Sequence, residues 1–167
     1  MTGLAELVGV SPMRVAELVG SLAARSLTVA AAESLTGGLL TALLTEVPGS
    51  SAVVRGGLVV YATELKHRLA GVEAELLERH GPVHPQVAVQ LARGAAGACG
   101  AGIGLGLTGV AGPDRQHDVE VGTCYIACWQ AGAARLTRLD PGTDRLPSRA
   151  QVRGAAVRAA LDLLEAC

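Results

Sequence analysis

Phenylalanine is absent from this chain, and Trp129, Tyr61 and Tyr125 are its only aromatic residues. A core without large flat side chains must be assembled from Ala, Val and Leu, so its elements are expected to approach one another closely. A ligand that depends on aromatic stacking finds few platforms. Lysine is almost absent too: of 14 cationic residues only Lys66 is a lysine, and every other one is an arginine. Where arginine has replaced lysine so widely, a lysine that survives stands where arginine cannot act. Arginine keeps its proton in proteins, whereas lysine loses its own when its surroundings depress its pKa. Lys66 is therefore a candidate general base, the plain alternative being a leftover surface lysine.

Other scarcities narrow the function further. Charged residues make up 17% of the chain against 50% hydrophobic, a balance that argues against disorder. The net charge is −1, without the basic patch that grips a phosphate backbone, so nucleic acid is not an expected partner. No apolar run is long enough to span a bilayer, and no basic leader precedes one, so the expected compartment is the cytoplasm and no membrane contact is expected. The four cysteines, Cys99, Cys124, Cys128 and Cys167, form no Cys-x-x-Cys pair and have no histidine cluster at zinc spacing. They are expected to be reduced thiols, with Cys124 and Cys128 on one face of a strand. No metal and no cofactor is expected.

At 167 residues the chain fits a single domain over 1–167, with 1–11 as a flexible lead-in. Ser11-Pro12 reads as a helix start, followed by apolar residues at helical spacing from Val15 to Ala24. Short buried strands are expected at Leu27–Ala32, Leu58–Val60 and Ile103–Leu107. Helices are expected at Thr36–Thr45, Thr63–Leu69, Glu73–His80, Pro85–Ala98 and Ser148–Glu165. Val121–Cys128 and Ala134–Leu139 read as a hairpin joined through Gln130-Ala131-Gly132. The alternation predicts a three-layer α/β domain with a mixed, mainly parallel central sheet and helices on both faces.

Four segments carry candidate chemistry. Ala32-Glu33-Ser34-Leu35-Thr36-Gly37-Gly38 lies where a buried strand stops and a helix begins, the place where open α/β sheets put their sites. Ser34 there is a candidate nucleophile, with backbone N–H groups from Thr36, Gly37 and Gly38 as an oxyanion hole; alternatively, Ser34 or Thr36 simply caps the helix. Tyr61 ends the second strand and Lys66 follows one turn into the next helix, so both converge on Ser34 if the two strands are neighbours. Gly106-Leu107-Thr108-Gly109-Val110-Ala111-Gly112-Pro113 follows the third strand, and its turn is either an anion-binding nest or a tight connection. Asp144-Arg145 and Arg149 offer arginine forks for phosphate, or a solvated ion pair.

The stretches AESLTGG, GSS at Gly49–Ser51, VVYATELK, HGPV, GLTGVAGPD, VGT and the Asp144/Arg145/Arg149 group occur in this order. The sequence resembles the CinA C-terminal domain family, including its stand-alone nicotinamide-nucleotide amidohydrolases (PncC-like), from about Val15 to Leu164. That resemblance implies deamidation of nicotinamide mononucleotide to nicotinic acid mononucleotide and ammonia, with catalytic roles on Ser34, Tyr61 and Lys66. Candidate substrate contacts are Glu33, Ser50, Ser51 and Thr108, together with Gly109, Ala111, Gly112, Arg145 and Arg149. A homodimer is the expected assembly. The chain departs from the family pattern at Leu35, commonly Cys, and at Gly81-Pro82-Val83-His84, which replaces GAVS. The loop from Arg115-Gln116 to Thr123 lacks the family's glycine pair and its lysine before VGT. Two alternatives to this amidase are a nucleotide-binding regulatory module of the same fold and an amidase for another small amide.

Overall fold

The computed structural model describes residues 3–141 and 148–167. Five strands form one sheet in the order β2-β1-β3-β4-β5: β1 (Val29–Glu33), β2 (Val54–Val59), β3 (Ile103–Gly109), β4 (Cys124–Gln130) and β5 (Ala133–Leu139). The strands β2, β1 and β3 run parallel, and β4 and β5 complete the sheet antiparallel. The mixed, mainly parallel sheet matches the expectation from sequence. Around it lie α1 (Leu4–Leu7), α2 (Pro12–Ala24), α3 (Leu39–Thr45), α4 (Thr63–Ala70), α5 (Ala74–His80), α6 (Pro85–Cys99) and α7 (Arg149–Glu165).

Alternation along the strands sorts the core into two faces. Val29 and Ala31 of β1, Ile103, Leu105 and Leu107 of β3, and Cys124, Ile126 and Cys128 of β4 pack with α2, α3 and α7. Ala30 and Ala32 face the other way and join α4, α5 and α6. On that second face β3 carries Gly104 and Gly106 ahead of Thr108, and at both glycines a Cβ would overlap a carbonyl oxygen of α6, that of Ala92 or Ala88. The helix therefore lies directly on the strand backbone, which is how a core without phenylalanine reaches close packing.

Two sequence expectations are corrected. The lead-in is packed from residue 3 onward: α1 forms there, and Ala5, Val8 and Val10 are buried in the main cluster. The strand expected at Leu58–Val60 begins at Val54. Arg55-Gly56-Gly57 has the composition of a turn, yet Gly57 lies where a Cβ would strike the Thr41 side chain, so glycine serves helix–strand contact rather than chain reversal.

The register positions the site. Glu33 pairs with Val59 on one side and Leu107 on the other, so the three parallel strands end abreast. Ser34, Val60-Tyr61 and Thr108 consequently leave the sheet along one edge. Parallel strands also begin on the opposite edge, and Ser50–Ala52, a short 3-10 turn leading into β2, belongs there.

Candidate active site

The turn after β1 is built by Glu33. Its carboxylate, on a residue 1% exposed, accepts the backbone N–H groups of Gly38 (3.1 Å), Leu40 (3.1 Å) and Thr41 (2.8 Å) and the Thr41 hydroxyl (2.7 Å). It thereby satisfies the orphan donors at the start of α3. Glu33 is thus a structural anchor and not the substrate contact expected from sequence. Gly37 and Gly38 have φ of +61° and +93°, and this left-handed pair lets the chain double back into the helix. Ser34 donates its N–H to Leu107 O (3.0 Å), and its own carbonyl accepts Gly37 N–H (3.1 Å).

These bonds correct the expected oxyanion hole. The amides of Gly37 and Gly38 are committed to Ser34 O and Glu33. In this turn the amides of Leu35 and Thr36 take no partner among the described residues. The Thr36 carbonyl is held at 2.9 Å by Arg153 of α7, 117 positions away, a support that local patterning cannot reveal.

Lys66 lies on α4 and turns back toward the sheet edge. Its Nζ is 3.0 Å from Ser34 Oγ, 2.8 Å from Val60 O and 3.1 Å from Tyr61 O, on a residue only 1% exposed. Burial lowers its pKa to about 8, against a small opposing pull from Glu64. The three partners are not equivalent. Two are carbonyls, which can only accept. When the amine is neutral, its two N–H bonds satisfy those carbonyls and its lone pair falls toward the one partner that carries a hydrogen, the Ser34 hydroxyl.

Tyr61 contributes chiefly through its backbone. The residue is 61% exposed, and its phenol oxygen accepts from Arg149 Nη2 at 3.1 Å at the mouth of the cleft. The amine contacts Ser34 directly, with no phenol between them. Arg149, at the first position of α7, also donates from Nη1 to Gly112 O at 2.5 Å. Arg145 lies outside the described residues.

A cleft of about 270 Å³ opens over this group. Of the residues singled out from sequence, Ser34, Tyr61, Lys66, Thr108, Gly109, Ala111, Gly112 and Arg149 border it. Thr108 is nonetheless not a free hydroxyl, since it donates to Pro82 O at 2.7 Å. Ser50 and Ser51 do not line it: they sit at the far end of β2, where the Ser50 hydroxyl approaches Thr45 O. Leu35, Pro82, Val83, Val110, Asp114 and Gln116 complete the wall. The variant segments at 81–84 and 115–121 marked this region, but their contact with the cleft required the fold. Val110 N–H bonds Thr123 O and Gly122 N–H bonds Val110 O, which fixes the glycine-rich turn and leaves the Ala111 and Gly112 amides without partners among the described residues. Among the described residues no group of three or more His, Cys, Asp or Glu could hold a metal ion.

Comparison with known proteins identifies the family and the fold. The profile of the CinA C-terminal domain matches residues 13–167. A CinA-like protein of Frankia casuarinae is 47% identical over 149 residues, and one of Gemmatimonas aurantiaca is 44% identical over the same length. Each match covers 88% of this chain but only 33% and 34% of the relative, so the chain spans about a third of their length. The crystal structure of the competence/damage inducible protein CihA from Agrobacterium tumefaciens superposes with a TM-score of 0.86 at 34% identity, covering 93% of both chains. A CinA superfamily protein from Escherichia coli gives 0.86 at 28% identity over 92% of this chain and 88% of its own. With a five-stranded mixed sheet, a serine–lysine pair at its parallel edge and a family profile over nearly its whole length, this chain belongs to the CinA C-terminal domain family.

Proposed function

We propose that the cleft is the active site of a serine amidohydrolase that converts nicotinamide mononucleotide to nicotinic acid mononucleotide and ammonia. The observation that carries this reading is the buried Lys66 amine 3.0 Å from Ser34 Oγ, with its other two bonds fixed by carbonyls. Neutral Lys66 accepts the Ser34 proton as Oγ attacks the carboxamide carbon. The unpartnered amide of Leu35, which lines the cleft beside Ser34, receives the oxyanion. The tetrahedral intermediate collapses, Lys66 returns its proton to the leaving nitrogen, and ammonia departs. Water, deprotonated by the same amine, then hydrolyses the nicotinoyl ester on Ser34. The Ala111 and Gly112 amides and the guanidinium of Arg149 receive the phosphate, and Arg149 is held in place by Tyr61 and Gly112 O.

The test is ammonia release from nicotinamide mononucleotide, read beside a binding titration. Ser34→Ala is expected to lose turnover by about four orders of magnitude or more while still binding the nucleotide. Wild-type protein that binds the nucleotide and releases no ammonia would replace this reading with a regulatory module. Ammonia released only from other amides would replace the substrate.

The protonation of Lys66 sets the pH dependence. The amine is the base only when neutral, and burial brings its pKa to about 8. kcat/KM is therefore expected to rise about tenfold per pH unit below that value and to level off above it. A profile flat between pH 6 and 9 would remove Lys66 from the proton path.

A further inference from the structure

We propose that Cys128 and Cys167 form a redox-active dithiol, on which a low-molecular-weight disulfide closes a covalent bridge between β4 and the end of α7. This inference is independent of the amidase reading and concerns the opposite end of α7 from Arg149.

The pair is built by sheet and helix together. Cys128 lies on the face of β4 that packs under α7, and it is 1% exposed. Cys167 follows α7, whose last turns are anchored by the buried Leu163 and Leu164. Its N–H bonds Leu164 O at 3.2 Å and its sulfur lies 3.3 Å from Leu163 O, so the side chain is held in place. The two Sγ atoms are 3.1 Å apart, about 1 Å more than the roughly 2.05 Å of a disulfide bond. A small torsional adjustment closes that gap.

A cation is aimed at the same sulfur. Arg135 of β5 is the cross-strand partner of Cys128, and its Nη2 donates to Cys167 Sγ at 2.7 Å while Nη1 bonds the neighbouring Ala166 carbonyl. A guanidinium beside a half-buried sulfur is the electropositive setting of an attacking thiolate. Cys128 differs: burial pushes its thiol up to about 12, so it does not react first with an external reagent. The remaining cysteines are not rival partners. Cys99 packs on the other side of the sheet, and Cys124 is four residues along the same strand as Cys128, about 13 Å away.

The chemistry balances in two exchanges. The Cys167 thiolate attacks a disulfide RSSR, forming Cys167–S–S–R and releasing RS⁻. Cys128 sulfur then attacks Cys167 sulfur; the Cys128–Cys167 bond forms, and the second R group leaves with the Cys128 proton as RSH. Two protein thiols are oxidised and one external disulfide is reduced to two thiols.

The test incubates the whole chain with oxidised glutathione, quenches with acid, and counts thiols by alkylation and peptide mass mapping. The wild type is expected to lose two of its four alkylatable thiols, with Cys128 and Cys167 joined. Cys128→Ser is expected to retain one glutathionyl group on Cys167, because no resolving sulfur remains, and Cys167→Ser is expected to stay unmodified. Arg135→Gln is expected to slow bridging by about tenfold. Wild-type protein with all four thiols still alkylatable, or with a bridge through Cys99 or Cys124, overturns the proposal. The wild-type map decides the matter even where a variant folds poorly.

Discussion

Ammonia release is expected to fall by about 10²–10⁴-fold in Lys66→Met, with the chain still folded. Methionine approaches the length and volume of the buried lysine but cannot accept a proton. The stability side is a near balance. The Val60 and Tyr61 carbonyls each lose a donor, at about 1–3 kcal/mol for a buried acceptor left unpaired. Against that, the interior no longer holds an ionisable group, whose depressed pKa records how poorly the site accommodates charge. Loss of activity without collapse of the thermal transition is therefore the signature of a lost base. Lys66→Arg is expected to be equally inactive for a different reason, since its cation is permanent. Turnover and melting are measured on the same preparations. Either variant retaining more than about a tenth of wild-type activity would contradict general-base catalysis by this amine.

The largest effect on stability is expected at a residue outside the cleft. Gly104→Ala is expected to cost about 3 kcal/mol or more. The new methyl group would fall on the Ala92 carbonyl oxygen and within 3.0 Å of Ala96 Cβ. Relief requires α6 to lift from β3, which opens the cluster containing Val87, Leu91 and Ala95. Backbone cannot yield as a flexible side-chain tip does. Gly97→Ala, on the same helix, is the control: nothing lies within 4 Å of its Cβ position, and removing an exposed helical glycine is expected to stabilise by about 0.5–1 kcal/mol. Urea unfolding of both variants checks the contrast. Equal and small changes at the two positions would refute direct contact between α6 and the strand backbone.

Much of the architecture was legible because its signals are local. Short apolar runs, glycine at strand ends, Pro12 and Pro85 at helix starts and the Gln130–Gly132 reversal each act within a few residues. The meeting of Ser34 with Lys66 was legible for a related reason: parallel strands end at one edge, so segments just beyond two such strands meet when the strands are neighbours, whereas the outward turn of the Tyr61 phenol toward Arg149 was not. The failures have an equally physical source. The start of β2 is not legible because Arg55, Gly56 and Gly57 carry no apolar signal of their own; the two glycines are explained only by the Cys99 and Thr41 side chains that press on them. Ser50 and Ser51 lie away from the cleft, and nothing local in sequence reveals which edge of the sheet a loop occupies.

By itself the sequence determined an α/β domain and a Phe-free core that must pack closely, and it singled out one lysine as a candidate base. Only the tertiary structure decided how donors and acceptors are shared out. It assigns Glu33 to the start of α3, withdraws the Gly37 and Gly38 amides, joins Arg149 to Tyr61 and Gly112, and sets Cys128 against Cys167. The reason is that a hydrogen-bonding group satisfies only a few partners, and which ones it meets depends on segments brought together from distant parts of the chain.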